Sequence, residues 1–166
     1  MEVKELGHLV LYVRDIERSA RFYGDVLGWR QIVGPGGEGI DLGPGGPPIA
    51  MFSAPSDRTH HELLLIQVGP DAAPVPPGRR LGLYHFGLKV GDSDDELREV
   101  HRTLEEHDVT ILGASDYGVT HSLYIADPDG NEIELFIDVP GVDWRSDPML
   151  ILSPIKPLQL EVPEAT

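Results

Sequence analysis

The sequence predicts an α+β protein made of two βαβββ modules, whose mixed sheets curve around a cleft, followed by a C-terminal tail. Three observations carry this. A short apolar run, an acid-started amphipathic segment and further strand-like runs follow one another in that order twice. The two copies superpose, placing GHLVLYVRD on YHFGLKVGD with His8 on His85 and Asp15 on Asp92, a common offset of 77 residues (85 − 8, 92 − 15). With 166 residues and 40% hydrophobic content, the chain is long enough for a real core. The expected organisation is a single domain over residues 1–138, with modules at about 5–69 and 82–138, and an extension over 139–166.

His8 to Val13 (HLVLYV) is an apolar run with β-branched and aromatic members, the pattern of a buried strand. From Asp15, the segment DIERSARFYGDVLG sets Ile16, Ala20, Tyr23 and Leu27 three and four apart and ends on Gly28, which predicts an amphipathic helix with a glycine C-cap. A second strand follows from Trp29. Between Gly34 and Pro48 the density of Gly and Pro breaks regular structure, leaving room for turns and a short strand at Ile40 to Leu42. Ile49 to Ser53 and His61 to Val68 read as the module's closing strands, joined by a polar turn at Pro55 to Thr59.

After the Pro-rich connector GPDAAPVPPGRR, the second copy opens with a strand at Tyr84 to Val90. A helix then runs from the acidic start at Asp92 to about His107, with Leu97, Val100 and Leu104 inward. Val109 to Leu112, His121 to Ala126 and Glu132 to Ile137 are the remaining strands, the last two joined by the turn Asp127-Pro128-Asp129-Gly130. The tail alternates Pro with aliphatic residues, as an extended segment does, and the apolar run Met149 to Leu152 favours its docking on the domain or on a partner subunit.

The formal charge of −15, from 13 Lys+Arg against 28 Asp+Glu, repels phosphate backbones and anionic headgroups, so neither nucleic acid nor membrane is expected as a partner. Absence of cysteine excludes disulfides, thiolate metal sites and cysteine nucleophiles. The N-terminus lacks the pattern of a secretory signal, which makes a cytoplasmic location the expectation.

Strand alternation puts His8, Val10 and Tyr12 on one face, and His85, Gly87 and Lys89 on the equivalent one. Aligning HHELLLI with EIELFID sets His61 against Glu134. If the sheets curl toward one another, His8, His85 and Glu134 converge as ligands for one divalent ion. Two imidazoles and one carboxylate suit Fe(II), Mn, Zn or Ni and leave open vertices for substrate and O2. His61 reads as a fourth ligand, an acid/base or a rim residue. For each histidine alone, a hydrogen-bonded core position is the simpler explanation, and for Glu134 a solvent-facing edge. The acidic clusters Asp92 to Glu96 and Glu105 to Asp108 read as helix capping and a solvated face.

GHLVLYVRDIERSARFYGDVLGW, THHELLLIQV, LYHFGLKV and DYGVTHSLYIADPDGNEIELF together resemble the vicinal-oxygen-chelate superfamily over residues 5 to 138. That superfamily includes glyoxalase I, extradiol ring-cleavage dioxygenases, methylmalonyl-CoA epimerase and fosfomycin- and bleomycin-resistance proteins. Within it, the His60-His61 pair and a Tyr ten residues before Glu134 resemble catechol-type extradiol dioxygenases. The resemblance implies His8, His85 and Glu134 as ligands of Fe(II), His61 as acid/base, Tyr124 as hydrogen-bond donor to a substrate oxygen, and His121 in a supporting position. It also implies a small aromatic diol as substrate, and a homodimer as one form of assembly. Two other activities remain open: a glyoxalase- or epimerase-like isomerase using Zn, Ni or Co, and a drug-binding resistance protein without catalysis. Intact His8, His85 and Glu134 argue against the last.

Overall fold

A computed structural model describes residues 1–35, 46–55 and 59–160, and the chain divides into two compact units, Met1–Val75 and Pro76–Thr166. Both carry the βαβββ order that the repeat predicts.

The first unit contains β1 (Leu9–Val13), α1 (Ile16–Arg21), β2 (Arg30–Val33), β3 (Ile49–Ser53) and β4 (Leu63–Gln67). Its sheet order is β1-β4-β3-β2, with β1 parallel to β4 and the other neighbours antiparallel. Alternation decides the faces: Leu11, Val13, Leu63 and Leu65 are buried, whereas Val10 and Tyr12 point outward. Asp15 caps α1 by accepting from Arg18 N at 3.0 Å, and Gln67 Oε1 accepts from Ile16 N at 2.9 Å, tying β4 to the start of α1.

The helix expected to reach Leu27 stops at Arg21 and continues as a π-helical turn over Phe22–Val26, with Leu27 N donating to Phe22 O. The wider turn lets sequence neighbours Phe22 and Tyr23 both bury, which α-helical spacing would not favour. The strand expected at Ile40 to Leu42 and the middle of the turn at Pro55 to Thr59 lie outside the described residues.

In the second unit β5 (His85–Gly91), α2 (Asp94–Glu106), β6 (Ile111–Asp116), β7 (Thr120–Ala126) and β8 (Glu132–Asp138) are followed by β9 (Lys156–Pro157). Here the order is β5-β8-β7-β6-β9, with β5 parallel to β8. A capping box starts α2: Ser93 Oγ accepts from Glu96 N, while Glu96 reaches back to Asp92 N at 2.8 Å. Leu97 and Leu104 are buried as expected, and Val100 is half-buried. The DPDG turn is held by Asp127, whose carboxylate accepts from Asp129 N, Asn131 N and Asn131 Nδ2, with Gly130 at φ 89°.

Two boundaries differ from expectation. β6 starts later than Val109 and runs to Asp116, because pairing with β7 carries Gly113, Ala114 and Ser115 into a ladder that their own weak β preference does not announce. In the tail, Lys156 and Pro157 pair with the edge of β6, but Met149, Ile151 and Leu152 stay exposed on a 3-10 turn. Within this chain the tail is therefore held by backbone pairing to β6, and the domain itself does not cover the apolar run. Among the described residues, no helix is long and apolar enough to cross a membrane.

Leu104→Ala, which empties a position only 1% exposed, is expected to lower unfolding free energy by about 2–5 kcal/mol in urea denaturation. Leu112→Ala, at 56% exposure on β6, is expected to stay within about 0.5 kcal/mol of the parent chain in the same measurement.

Candidate metal centre

The second unit assembles its site on the sheet face opposite α2. Ile133, Leu135 and Ile137 of β8 turn into the core beneath the helix, so Glu132, Glu134 and Phe136 turn the other way. The parallel ladder pairs His85 with Glu132 and Gly87 with Glu134, which puts the His85 ring on the same face as both carboxylates. His85 Nε2 lies 3.3 Å from Glu134 Oε2. On the other side of β8, the antiparallel partner of Glu134 is Tyr124.

Glu134 divides its two oxygens. Oε1 accepts from Ser122 Oγ at 2.7 Å and from Tyr124 OH at 3.2 Å, and the Tyr117 hydroxyl in turn meets that of Tyr124. Oε2 faces His85, and beside it Gly87 contributes no side chain: a Cβ there would lie 3.6 Å from Oε2 and 3.3 Å from the Phe136 ring. With bonds of about 2.0–2.2 Å, neighbouring ligands of one ion sit about 2.8–3.6 Å apart, so the imidazole nitrogen and carboxylate oxygen have the spacing of adjacent ligands. The donor set fits a divalent ion of intermediate softness.

Burial raises the Tyr124 phenol well above the ordinary tyrosine value, and the Tyr117 hydrogen bond and the Glu134 charge push the same way. Tyr124 is thus a proton donor throughout the neutral range. Its ring meets that of His85 edge-on at 5.7 Å, and Tyr84 flanks the imidazole at 4.7 Å.

In the first unit, His8 immediately precedes β1 and His61 precedes β4, with ring centroids 4.7 Å apart. His60 and His61 both precede β4, so strand alternation reaches neither, and their Nδ1 atoms lie 2.5 Å apart. Desolvation lowers the His61 imidazole below its ordinary value, with His60 and His8 adding to the effect and Glu62 opposing it.

The ladders also correct the alignment of His61 with Glu134. Val10 pairs with Leu64 as Gly87 pairs with Glu134, so Leu64 is the structural counterpart of Glu134, and Glu62 that of Glu132. Among the described residues, no group of three or more His, Asp or Glu side chains is found that could hold a metal ion. The structure brings His85, Glu134 and Tyr124 together in one unit, and His8 with His61 in the other.

His121 is not part of this face. It pairs with Ile137 in the ladder, and its Nδ1 lies 2.6 Å from Asp94 Oδ1 in the first turn of α2, so it fastens helix to sheet. His101, on α2, is half-buried with Nδ1 3.4 Å from Glu105. Sequence reasoning missed Ser122 and Tyr117. Ser122 was within reach, since it stands two residues before Tyr124 and shares its face; Tyr117, in the β6–β7 turn, carries no periodic signal.

Residues 5–135 match the family model described as Glyoxalase/Bleomycin resistance protein/Dioxygenase superfamily. Catechol-2,3-dioxygenase of Bacillus subtilis (strain 168) is 32% identical over 146 residues, covering 88% of this chain and 46% of that protein. Biphenyl-2,3-diol 1,2-dioxygenase 3 of Rhodococcus globerulus is 29% identical over 136 residues, covering 80% of this chain and 63% of the relative. The chain therefore spans about half to two-thirds of the length of these two relatives. Among solved structures, a glyoxylase/bleomycin resistance protein/dioxygenase domain from Frankia sp. EAN1pec aligns with a TM-score of 0.65 at 20% identity, over 82% of this chain and 99% of that one, a likeness of fold.

The Tyr124 shift has a measurable consequence. Its folded-state value lies above the unfolded one, so the stabilisation it contributes is complete below about pH 10 and is lost only as pH climbs through the raised value. Titrating the phenolate absorbance of the five tyrosines is expected to show a late component that appears only on alkaline unfolding, and Tyr124→Phe to diminish it by one tyrosine.

Proposed function

Because this chain belongs to the glyoxalase/bleomycin resistance protein/dioxygenase superfamily, we propose that it binds one divalent metal ion, Fe(II) before Mn, Zn or Ni, and opens the ring of a small catechol-type aromatic. The observation that carries this reading is Glu134 Oε2, turned toward His85 Nε2 at 3.3 Å while Oε1 is saturated by Ser122 and Tyr124. The proposed third ligand is taken from the sequence repeat alone, which aligns His8 with His85. The resulting set of two imidazoles and one carboxylate keeps vertices open for two adjacent substrate oxygens and for O2.

When bound, Fe(II) supplies Lewis acidity toward a catecholate and the redox capacity that O2 chemistry needs. His85 and Glu134 would hold it. Ser122, completely buried, keeps the carboxylate in place. The Tyr124 bond to Oε1, at 3.2 Å, is the longer of the two and is the one the phenol trades for a hydrogen bond donated to a substrate oxygen, keeping its proton. His61 acts as the acid/base that takes a hydroxyl proton from the substrate. The chain's negative charge keeps polyanions away from the site.

Elemental analysis of protein purified without chelators is expected to give iron near one equivalent, falling to background in His85→Ala and Glu134→Ala. After anaerobic loading with Fe(II), O2 and a panel of catechols are expected to give yellow ring-cleavage product. His61→Ala is expected to cut kcat/KM by about 10²- to 10⁴-fold with metal content unchanged. Turnover of a non-catechol substrate with Zn and without O2 would replace this reading with an isomerase. Ligand binding that survives chelation, with no metal in the parent protein, would replace it with a binding protein.

A further inference from the structure

The two nitrogens of His85 face two different carboxylates of β8. Nε2 lies 3.3 Å from Glu134, and Nδ1 lies 3.8 Å from Glu132 Oε1, the side chain directly across the ladder. Nδ1 is buried without a hydrogen-bond partner, although the ring as a whole is 27% exposed. A buried ring nitrogen left unpaired carries a desolvation cost that a nearby acceptor removes. Glu132 is the carboxylate that faces it, and its position is set from outside: Tyr84, stacked edge-on against the His85 ring, donates its hydroxyl proton to Glu132.

We propose that Glu132 is the positioning residue for His85, accepting from Nδ1–H with Tyr84 holding the carboxylate, so that the Nε2 lone pair is presented on the Glu134 side. The inference rests on the proposed role of His85 as a metal ligand. An imidazole that donates through one nitrogen is fixed in tautomer and ring angle, and the other nitrogen becomes the better ligand. A closure of less than an ångström along the ladder partner's side chain makes the bond. The counterpart in the first unit is Glu62, whose Oε2 accepts from Ala54 N at 2.8 Å, a different engagement.

Two measurements on the full-length chain separate this inference from the reading beneath it. Long-range ¹H–¹⁵N spectra of metal-free protein at mildly alkaline pH report the His85 tautomer. With Glu134 competing for a proton on Nε2 in every variant, the parent chain is expected to show a larger Nδ1–H fraction than Glu132→Ala, with Tyr84→Phe, at a surface position that tolerates the change, falling between them. Zn(II) titration against a competing chelator is expected to show tight binding by the parent chain, about 10- to 100-fold weaker binding by Glu132→Ala, and near-parent binding by Glu132→Gln, which keeps an acceptor. If the parent chain binds Zn(II) and both variants at position 132 match it in tautomer and affinity, the positioning role is overturned while the metal site stands. If the parent chain binds no divalent ion, the site reading fails and this inference falls with it.

Discussion

A carboxylate on a central strand, between Ile133 and Leu135 that both bury completely, has to be satisfied by its flanking strands. Glu134 meets this by giving one oxygen to β7, through Ser122 and Tyr124, and turning the other to β5, where His85 stands. Both neighbours are needed, and the βαβββ connection supplies both. The crossover through α2 brings the first strand beside the last in parallel, while the hairpin between β7 and β8 occupies the other edge. The strand order β5-β8-β7 is thus the condition on which the candidate site depends.

The same alternation separates scaffold from chemistry. One face of the second sheet is an apolar layer under α2, fastened at its end by His121 and Asp94; the other collects His85, Glu132, Glu134, Tyr124 and Ser122. Substitutions under the helix are expected to act on stability, and those on the opposite face to leave the core intact. Because Leu97, Leu104 and the β8 apolar residues are nearly inaccessible, the backbone that carries the polar face is stiff, which suits groups that have to hold fixed separations.

Duplication did not produce two equal halves. Where the second unit has Glu134, the first has Leu64, and where the second gathers carboxylates and phenols around one imidazole, the first gathers His8, His60 and His61.

The sequence by itself determined the repeat, the order of elements and part of the core, because periodicity and apolar runs are local and recur at a fixed offset: Leu97 and Leu104 could be named in advance. It also exposed His85 and Glu134, since a histidine and a carboxylate in apolar strands are anomalous wherever they occur. Only the tertiary structure decided what those residues meet. That Leu64 rather than His61 matches Glu134 depends on the ladder registers, which a gapped alignment of short strands does not fix; that Ser122 and Tyr124 share one oxygen depends on which strand lies next to β8. Such facts arise from pairing between segments distant in the chain, and side-chain alternation along one strand carries no information about its neighbour.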